Sequence, residues 1–241
     1  MYVMFREEME KASEDYGIHL TSHQKGQFGM YYRLLMEWNQ KMNLTAITDP
    51  KEVAVKHMVD SMSSLDEKSF PENCSVIDVG TGAGFPGIPL KIIRPDIKLT
   101  LLDSLNKRVS FLKAIVETLK LENVECLHGR AEETARNEVY REHFDVAVSR
   151  AVARLSILSE YCLPFVKVGG TFIAMKGMKY KEEMNEAQRA VKVLGGGNMK
   201  ACPVKLPGID DKRAVIYITK CSVTPKAYPR KAGTPERSPI S

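Results

Sequence analysis

Residues 76–89, VIDVGTGAGFPGIP, bring together side chains whose types and spacing can do chemistry. An acid, Asp78, sits near the end of a run of branched apolar residues. Glycines 80, 82, 84 and 87 follow, leading into a helix that carries Pro89 in an early position. Glycine lacks the Cβ that would hold a ligand away from the backbone. Such a loop at the carboxyl end of a first strand, next to the topological switch point of a doubly wound sheet, is a place for a nucleotide-like cofactor. Asp103 ends the next candidate strand, KLTLLD. An ionised carboxylate there can accept from both hydroxyls of a ribose; the lesser reading of Asp103 taken alone is a helix N-cap.

Two cofactor classes compete for this loop. Gly82-x-Gly84-x-x-Gly87, with Asp103 about 20 residues beyond, satisfies the dinucleotide fingerprint in form, so an NAD-dependent oxidoreductase is one reading. Against it, Phe85-Pro86 fills the place where a pyrophosphate needs free backbone N–H groups, and the tight turn begins earlier, at Asp78-x-Gly80-x-Gly82. That D-x-G-x-G pattern resembles the first motif of class I S-adenosylmethionine-dependent methyltransferases.

The elements that must position these residues follow from periodicity. Short apolar runs at 75–80, 98–103, 124–129, 144–149 and 170–176 alternate with helical segments, notably 106–120 with Val109, Leu112, Ile115, Val116 and Leu119 on one side. This predicts a Rossmann-like α/β domain over 66–223: a mostly parallel sheet with helices on both faces. After a helix at about 180–194 and a loop at GGGN, VKLP and RAVIYITK are expected to form a C-terminal antiparallel hairpin. Residues 1–65 read as an N-terminal helical extension. Its second helix, 21–42, starts at Thr21-Ser22 and sets Phe28, Tyr31, Leu35, Trp38 and Met42 at helical intervals, a stripe better suited to packing than to stacking on bases. Residues 224–241 form a basic, proline-rich tail, expected to build neither helix nor strand.

Composition narrows the class. With 44% apolar and 27% charged residues, the 241-residue chain suits one globular domain with a small appendage. No apolar run approaches the roughly 18 residues a membrane span needs, and the start has no apolar block with a cleavage site, so a cytoplasmic location is expected. Five scattered cysteines without a C-x-x-C pair suggest neither a disulfide framework nor a zinc site. His19 and His23 are separated by the helix start, and no metal is expected. Residues 201–241 hold eight Lys/Arg against three acids, which accounts for the whole net charge of +5.

Several further segments are more specific than the glycine loop. VGTGAGFPGIPLKI, LLDSLNKRVSFL, GRAEE, SRAVA, EWNQKMNLTAIT with HMVDS, and YPRKAGTPERSPI together resemble the ribosomal RNA small subunit methyltransferase G family, also called glucose-inhibited division protein B, from about residue 20 onward. The resemblance implies methyl transfer from S-adenosylmethionine to N7 of one guanine in bacterial 16S rRNA, within the small subunit or an assembly intermediate. It also implies cofactor contacts at Gly80, Phe85, Ala131, Glu132 and Arg150. Gly82 and Asp103 join them from loop and strand position.

N7 of guanine carries an exposed lone pair, so no catalytic residue is required. The N/D-P-P-Y/F motif of exocyclic-amine methylation is absent, its place reading SRAVARL. Cys162 and Cys202, possible nucleophiles for pyrimidine C5 chemistry, lie in apolar contexts typical of inert thiols. Lys176, following the fifth strand, and Tyr228, Arg230 and Lys231 in the tail are the expected RNA contacts. Deleting 225–241 is then expected to weaken RNA binding and leave cofactor affinity nearly intact. Methylation of another RNA nucleotide or a small molecule, or a non-enzymatic RNA-binding role, remain the other readings.

Overall fold

Alternation along each strand divides the core in two. In the computed structural model, which describes residues 2–240, Val76, Leu99, Leu101, Val146, Val148, Ile173, Met175 and Val215 point to one face of a seven-stranded sheet. Their neighbours Ile77, Val79, Leu102, Ala147, Phe172, Ala174, Ile216 and Ile218 point to the other. Successive Cβ atoms on a strand face opposite ways, so near-continuous apolar runs mean a sheet covered on both sides. The strands are β1 (Ser75–Val79), β2 (Lys98–Asp103), β3 (Val124–His128), β4 (Phe144–Arg150), β5 (Val166–Lys176), β6 (Gly196–Val204) and β7 (Arg213–Lys220), in the order β3-β2-β1-β4-β5-β7-β6. All pairings from β3 to β5 are parallel, and β7 is antiparallel to both β5 and β6. β1, flanked by β2 and β4, is where the winding reverses, and ligands collect at the carboxyl ends of strands there.

The first face is covered by α1 (Tyr2–Asp15), α2 (Ser22–Met42), the stretch α3 (Pro50–Val53), a π-helical segment (Ala54–Val59) and α4 (Asp60–Met62), together with α5 (Gly87–Ile93) and α6 (Asn106–Thr118). The N-terminal helices therefore share one core with the sheet: Phe5 stacks on Tyr32 at 4.2 Å between ring centroids, and Phe28, Tyr31 and Leu35 are buried. Thr21 and Gln24 form a reciprocal capping box at the expected start of α2. The second face carries α7 (Ala131–Thr134), α8 (Leu155–Cys162) and α9 (Tyr180–Val193).

Two expectations need correction. The first arm of the hairpin is not VKLP but Gly196–Val204, so most of GGGN is strand and VKLP only begins where that strand ends. A Cβ on Gly196 would lie 2.6 Å from Val191 Cγ1 of α9, so the strand tolerates only glycine where it meets the helix, and this hides its β character. The tail also has regular structure: α10 (Thr234–Arg237) is a single turn, and the segment before it is tied down by side chains described below.

Candidate functional site

Asp103, last residue of β2, is 2% exposed yet borders a cavity of about 460 Å³ at the carboxyl ends of β1, β2 and β4. Its Oδ2 accepts from the Gly82 N–H and its Oδ1 from the Leu105 N–H, both at 2.9 Å, with Arg108 Nη1 at 3.5 Å. A carboxylate offers about four lone-pair positions, so acceptor capacity remains. α6 starts after Leu105 without a side-chain cap, so Asp103 is bound to the glycine loop and is not the N-cap. Gly82 has φ +62°, and a Cβ there would meet nothing within 4 Å. Glycine relieves the backbone strain at this position and leaves the cavity side of the loop bare.

Asp78 lies beneath the loop and does not border the cavity. Its Oδ2 accepts from Thr81 Oγ1 (2.6 Å) and from the Gly87 N–H (2.8 Å), while its buried Oδ1 has no hydrogen-bond partner. Burial pushes its pKa up to about 7. This internal carboxylate decides between the two cofactor classes. At the start of α5 the Gly87 N–H is taken by Asp78, that of Ile88 by Gly84 O (2.8 Å) and that of Leu90 by Pro86 O (3.2 Å), and Pro89 has none. No first-turn donor is left for a pyrophosphate, and the dinucleotide reading fails. From above, the α2 residue Tyr31 donates to Ala83 O at 2.5 Å and stacks on Phe85 at 5.3 Å, so the helical extension buttresses the loop directly.

Phe85 is the wall on the β4 side. The Arg150 guanidinium lies 4.8 Å from its ring centroid and His57 stacks on it at 4.7 Å. Arg150 donates to Asp60 Oδ2 at 3.0 Å and to the carbonyl of Lys56 at 3.1 Å on the π-helical segment, and Arg213 reaches Asp60 Oδ1 at 2.8 Å. π-helical turns recur at functional sites. Burial, then the Arg150 charge, lowers the His57 pKa to about 4, so the ring is neutral at pH 7. Thr45 Oγ1 lies 2.8 Å from its Nε2.

At the opposite end, α7 presents Ala131 and Glu132. Glu132 is buried, and its Oε1 accepts from the Gly233 N–H of the tail at 2.9 Å. Tyr161 of α8 and Glu236 of α10 complete that end, with Tyr161 donating to Glu236 Oε1 at 3.2 Å. Burial and the carboxylates of Glu132 and Glu236 hold the Tyr161 pKa well above its usual value.

Gly80, Gly82, Phe85, Asp103, Ala131, Glu132 and Arg150 thus all line one cavity. A second cavity, about 570 Å³, adjoins it and shares His57, Arg150 and Ala151 with it; Lys56, Lys176, Lys212 and Arg213 lie on its walls. The expected RNA contacts fare differently. Lys176 is turned inward, its Nζ 2.7 Å from Glu183 Oε2 and 2.6 Å from Ala153 O, so it presents no free ammonium. Arg230 is committed to Glu160, which is 1% exposed, through Nη2–Oε2 at 2.7 Å and Nε–Oε1 at 3.0 Å. Lys231 is exposed and Tyr228 half-buried.

His57, Asp60, Tyr161 and Glu236 were not singled out from sequence. Asp60 follows His57 by three residues within HMVDS, a spacing that places both on one side of a helical turn. Tyr161 carries no local signal, and nothing in YPRKAGTPERSPI points Glu236 toward the cavity. Cys162 lies in the second core, where burial pushes its thiol pKa well up, and neither it nor Cys202 borders the first cavity. Among the described residues, no helix is long and apolar enough to cross a membrane, and no three His, Cys, Asp or Glu side chains gather to hold a metal.

Known proteins share this architecture. A solved structure described as a predicted O-methyltransferase from Agrobacterium tumefaciens superposes with a TM-score of 0.55 over 68% of this chain and 80% of that one, at 18% identity, a likeness of fold. Ribosomal RNA small subunit methyltransferase G of Alkaliphilus metalliredigens is 51% identical over 232 residues, covering 96% of this chain and 97% of the relative. Its counterpart in Desulforamulus reducens is 48% identical over 97% of both chains. Residues 24–207 match the family described as rRNA small subunit methyltransferase G, and with near full-length relatives at this identity the chain belongs to that family.

Proposed function

We propose that the protein transfers the methyl group of S-adenosylmethionine to N7 of one guanine of 16S rRNA, presented in the small ribosomal subunit or an assembly intermediate in the bacterial cytoplasm. The observation that carries this reading is the pairing of cavities. One is built around a glycine loop and the Asp103 carboxylate; the other carries Lys56, Lys176, Lys212 and Arg213 together with Asp60, Glu183 and Asp211, and the two share His57, Arg150 and Ala151.

The donor set suits this cofactor. Asp103 retains acceptor capacity for two ribose hydroxyls, the Glu132 carboxylate and the Ala131 backbone suit an adenine edge, and Gly80 and Gly82 let the loop approach closely. The cavity volume falls in the range of small-molecule sites. When bound, S-adenosylmethionine supplies a sulfonium-activated methyl group open to in-line displacement.

The chain's own residues then have little covalent work to do. N7 attacks with a lone pair already exposed, so no general base is needed; His57, its pKa lowered to about 4, is a weak base at the junction, and Asp60 is taken up by Arg150 and Arg213. A neutral ring there also adds no positive charge beside a cationic methyl donor. Positioning is the main contribution, and a well-held near-attack geometry supplies on the order of 7–11 kcal/mol. Phe85, clamped between Tyr31, His57 and Arg150, is a rigid wall of the first cavity against which the donor is set.

The test is methyl transfer from labelled S-adenosylmethionine into small subunits from a strain lacking this protein, followed by nucleoside mass spectrometry. A single 7-methylguanosine is expected. Label in another nucleoside, or only in small molecules, would redirect the assignment of substrate.

A further inference from the structure

The tail does more in the fold than its composition suggests. From Thr224 to Pro229 its carbonyls are gathered by two arginines of the loop after α7: Arg141 takes Thr224 O (2.8 Å) and Tyr228 O (2.9 Å), and Arg136 takes Pro229 O (2.9 Å). Arg230 then locks onto the buried Glu160 with both its backbone N–H (2.7 Å) and its guanidinium. Three residues on, the Gly233 N–H reaches Glu132, and α10 sets Glu236 at the cavity rim against Tyr161. A chain segment that is fastened twice to buried carboxylates, one of them in the cofactor cavity, is part of the cavity.

We infer that residues 228–237 form a strap that completes the S-adenosylmethionine site, with Glu160 and Arg230 as positioning residues that hold the strap so that Gly233 fixes the Glu132 carboxylate. This rests on the reading of the first cavity as the cofactor site. It also reverses the sequence expectation that loss of the tail spares cofactor affinity. A carboxylate buried at 3% exposure, deprived of its Gly233 donor, would rotate or take up water instead of keeping one acceptor geometry. Removal of α10 would also open that end of the cavity.

Linkage supplies a test on the intact chain. If the cofactor binds the strapped state better by some factor, the cofactor must suppress strap opening by the same factor, and removal of the strap must raise Kd by it. Trypsin cleavage after the exposed Lys231, followed by mass spectrometry, reads strap opening in the wild-type protein. Calorimetry on a chain lacking 228–241, and on Arg230→Ala, reads Kd, while kcat and KM for S-adenosylmethionine are measured on small subunits. Saturating S-adenosylmethionine is expected to slow cleavage by roughly 5–150-fold, the usual span of such couplings. Truncation should raise Kd by a matching factor, and Arg230→Ala should raise KM for the cofactor more than it lowers kcat. The protection assay does not depend on whether either variant folds well. Cofactor binding by the intact chain that neither slows cleavage nor weakens on truncation would overturn the strap alone. No binding by the intact chain would overturn the cofactor reading and the strap with it.

Discussion

Asp78 and Asp103 are both acids at or near strand ends, yet the structure gives them opposite work. Asp103 faces the cavity with two backbone donors fixing its orientation, whereas Asp78 is sealed below the loop with one oxygen unpartnered. A buried carboxyl whose pKa rises from about 4 in the unfolded chain to about 7 in the fold favours the native state only while protonated. Its contribution is complete below pH 4 and is lost as pH rises through 7. Asp78→Asn keeps an acceptor for Gly87 and does not titrate. The stability gained by this substitution should therefore grow between pH 4 and 7 and level off above, reaching an upper limit on the order of a few kcal/mol. Urea unfolding of both proteins across that range measures it, and parallel curves would refute it. His57 works in the other direction, since its lowered pKa costs stability as pH falls from 6.5 towards 4, but it is present in both proteins and cancels.

Among the elements, the parallel strands were legible because buried branched residues leave near-continuous apolar runs; β2 was read with its observed bounds, Lys98–Asp103. β6 was not, because Gly196 and Gly197 replace the side chains that would have shown alternation. The stretch from Pro50 to Met62 was visible as helical, but its π-helical centre was not. That stretch is held by contacts across the molecule, Arg150 taking the Lys56 carbonyl and Asp60 holding both Arg150 and Arg213. Asp60 therefore pins this stretch to β4 and β7. Asp60→Ala leaves two mostly buried guanidinium groups without their shared partner, and a loss of about 3 kcal/mol or more is expected by chemical denaturation. A loss within 0.5 kcal/mol would show that the clamp is not structural. Of the site, Gly80, Gly82, Phe85, Asp103, Ala131, Glu132 and Arg150 were found from sequence. Tyr161 and Glu236 escaped because only tertiary packing carries them to the rim.

Across the whole molecule, the excess positive charge is carried by residues 201–241, but the fold redistributes its availability. Lys220, Arg213 and Arg230 are committed to acids, whereas Lys231 is exposed. Composition could not separate these, since each depends on which acid lies opposite in space. If Lys231 meets an rRNA phosphate, Lys231→Ala should weaken binding to small subunits and lower the slope of log affinity against log salt by about 0.7–0.9. An unchanged slope would remove Lys231 from the interface. Arg230→Ala should act chiefly through the cofactor instead. Two residues adjacent in sequence then separate the two functions of the tail.

Isothermal titration calorimetry on the intact chain and on Asp103→Ala decides whether the cavity between the glycine loop and Asp103 holds S-adenosylmethionine. The wild-type protein should bind S-adenosylmethionine and show no binding of NAD. Asp103→Ala, with its circular dichroism spectrum unchanged, should lose on the order of 10²–10⁴-fold in affinity, in line with removing a charged acceptor from two hydrogen bonds worth roughly 1.5–3 kcal/mol each. Equal affinity in the two proteins, or binding of NAD at this site, would rule out Asp103 as the ribose acceptor of an S-adenosylmethionine site.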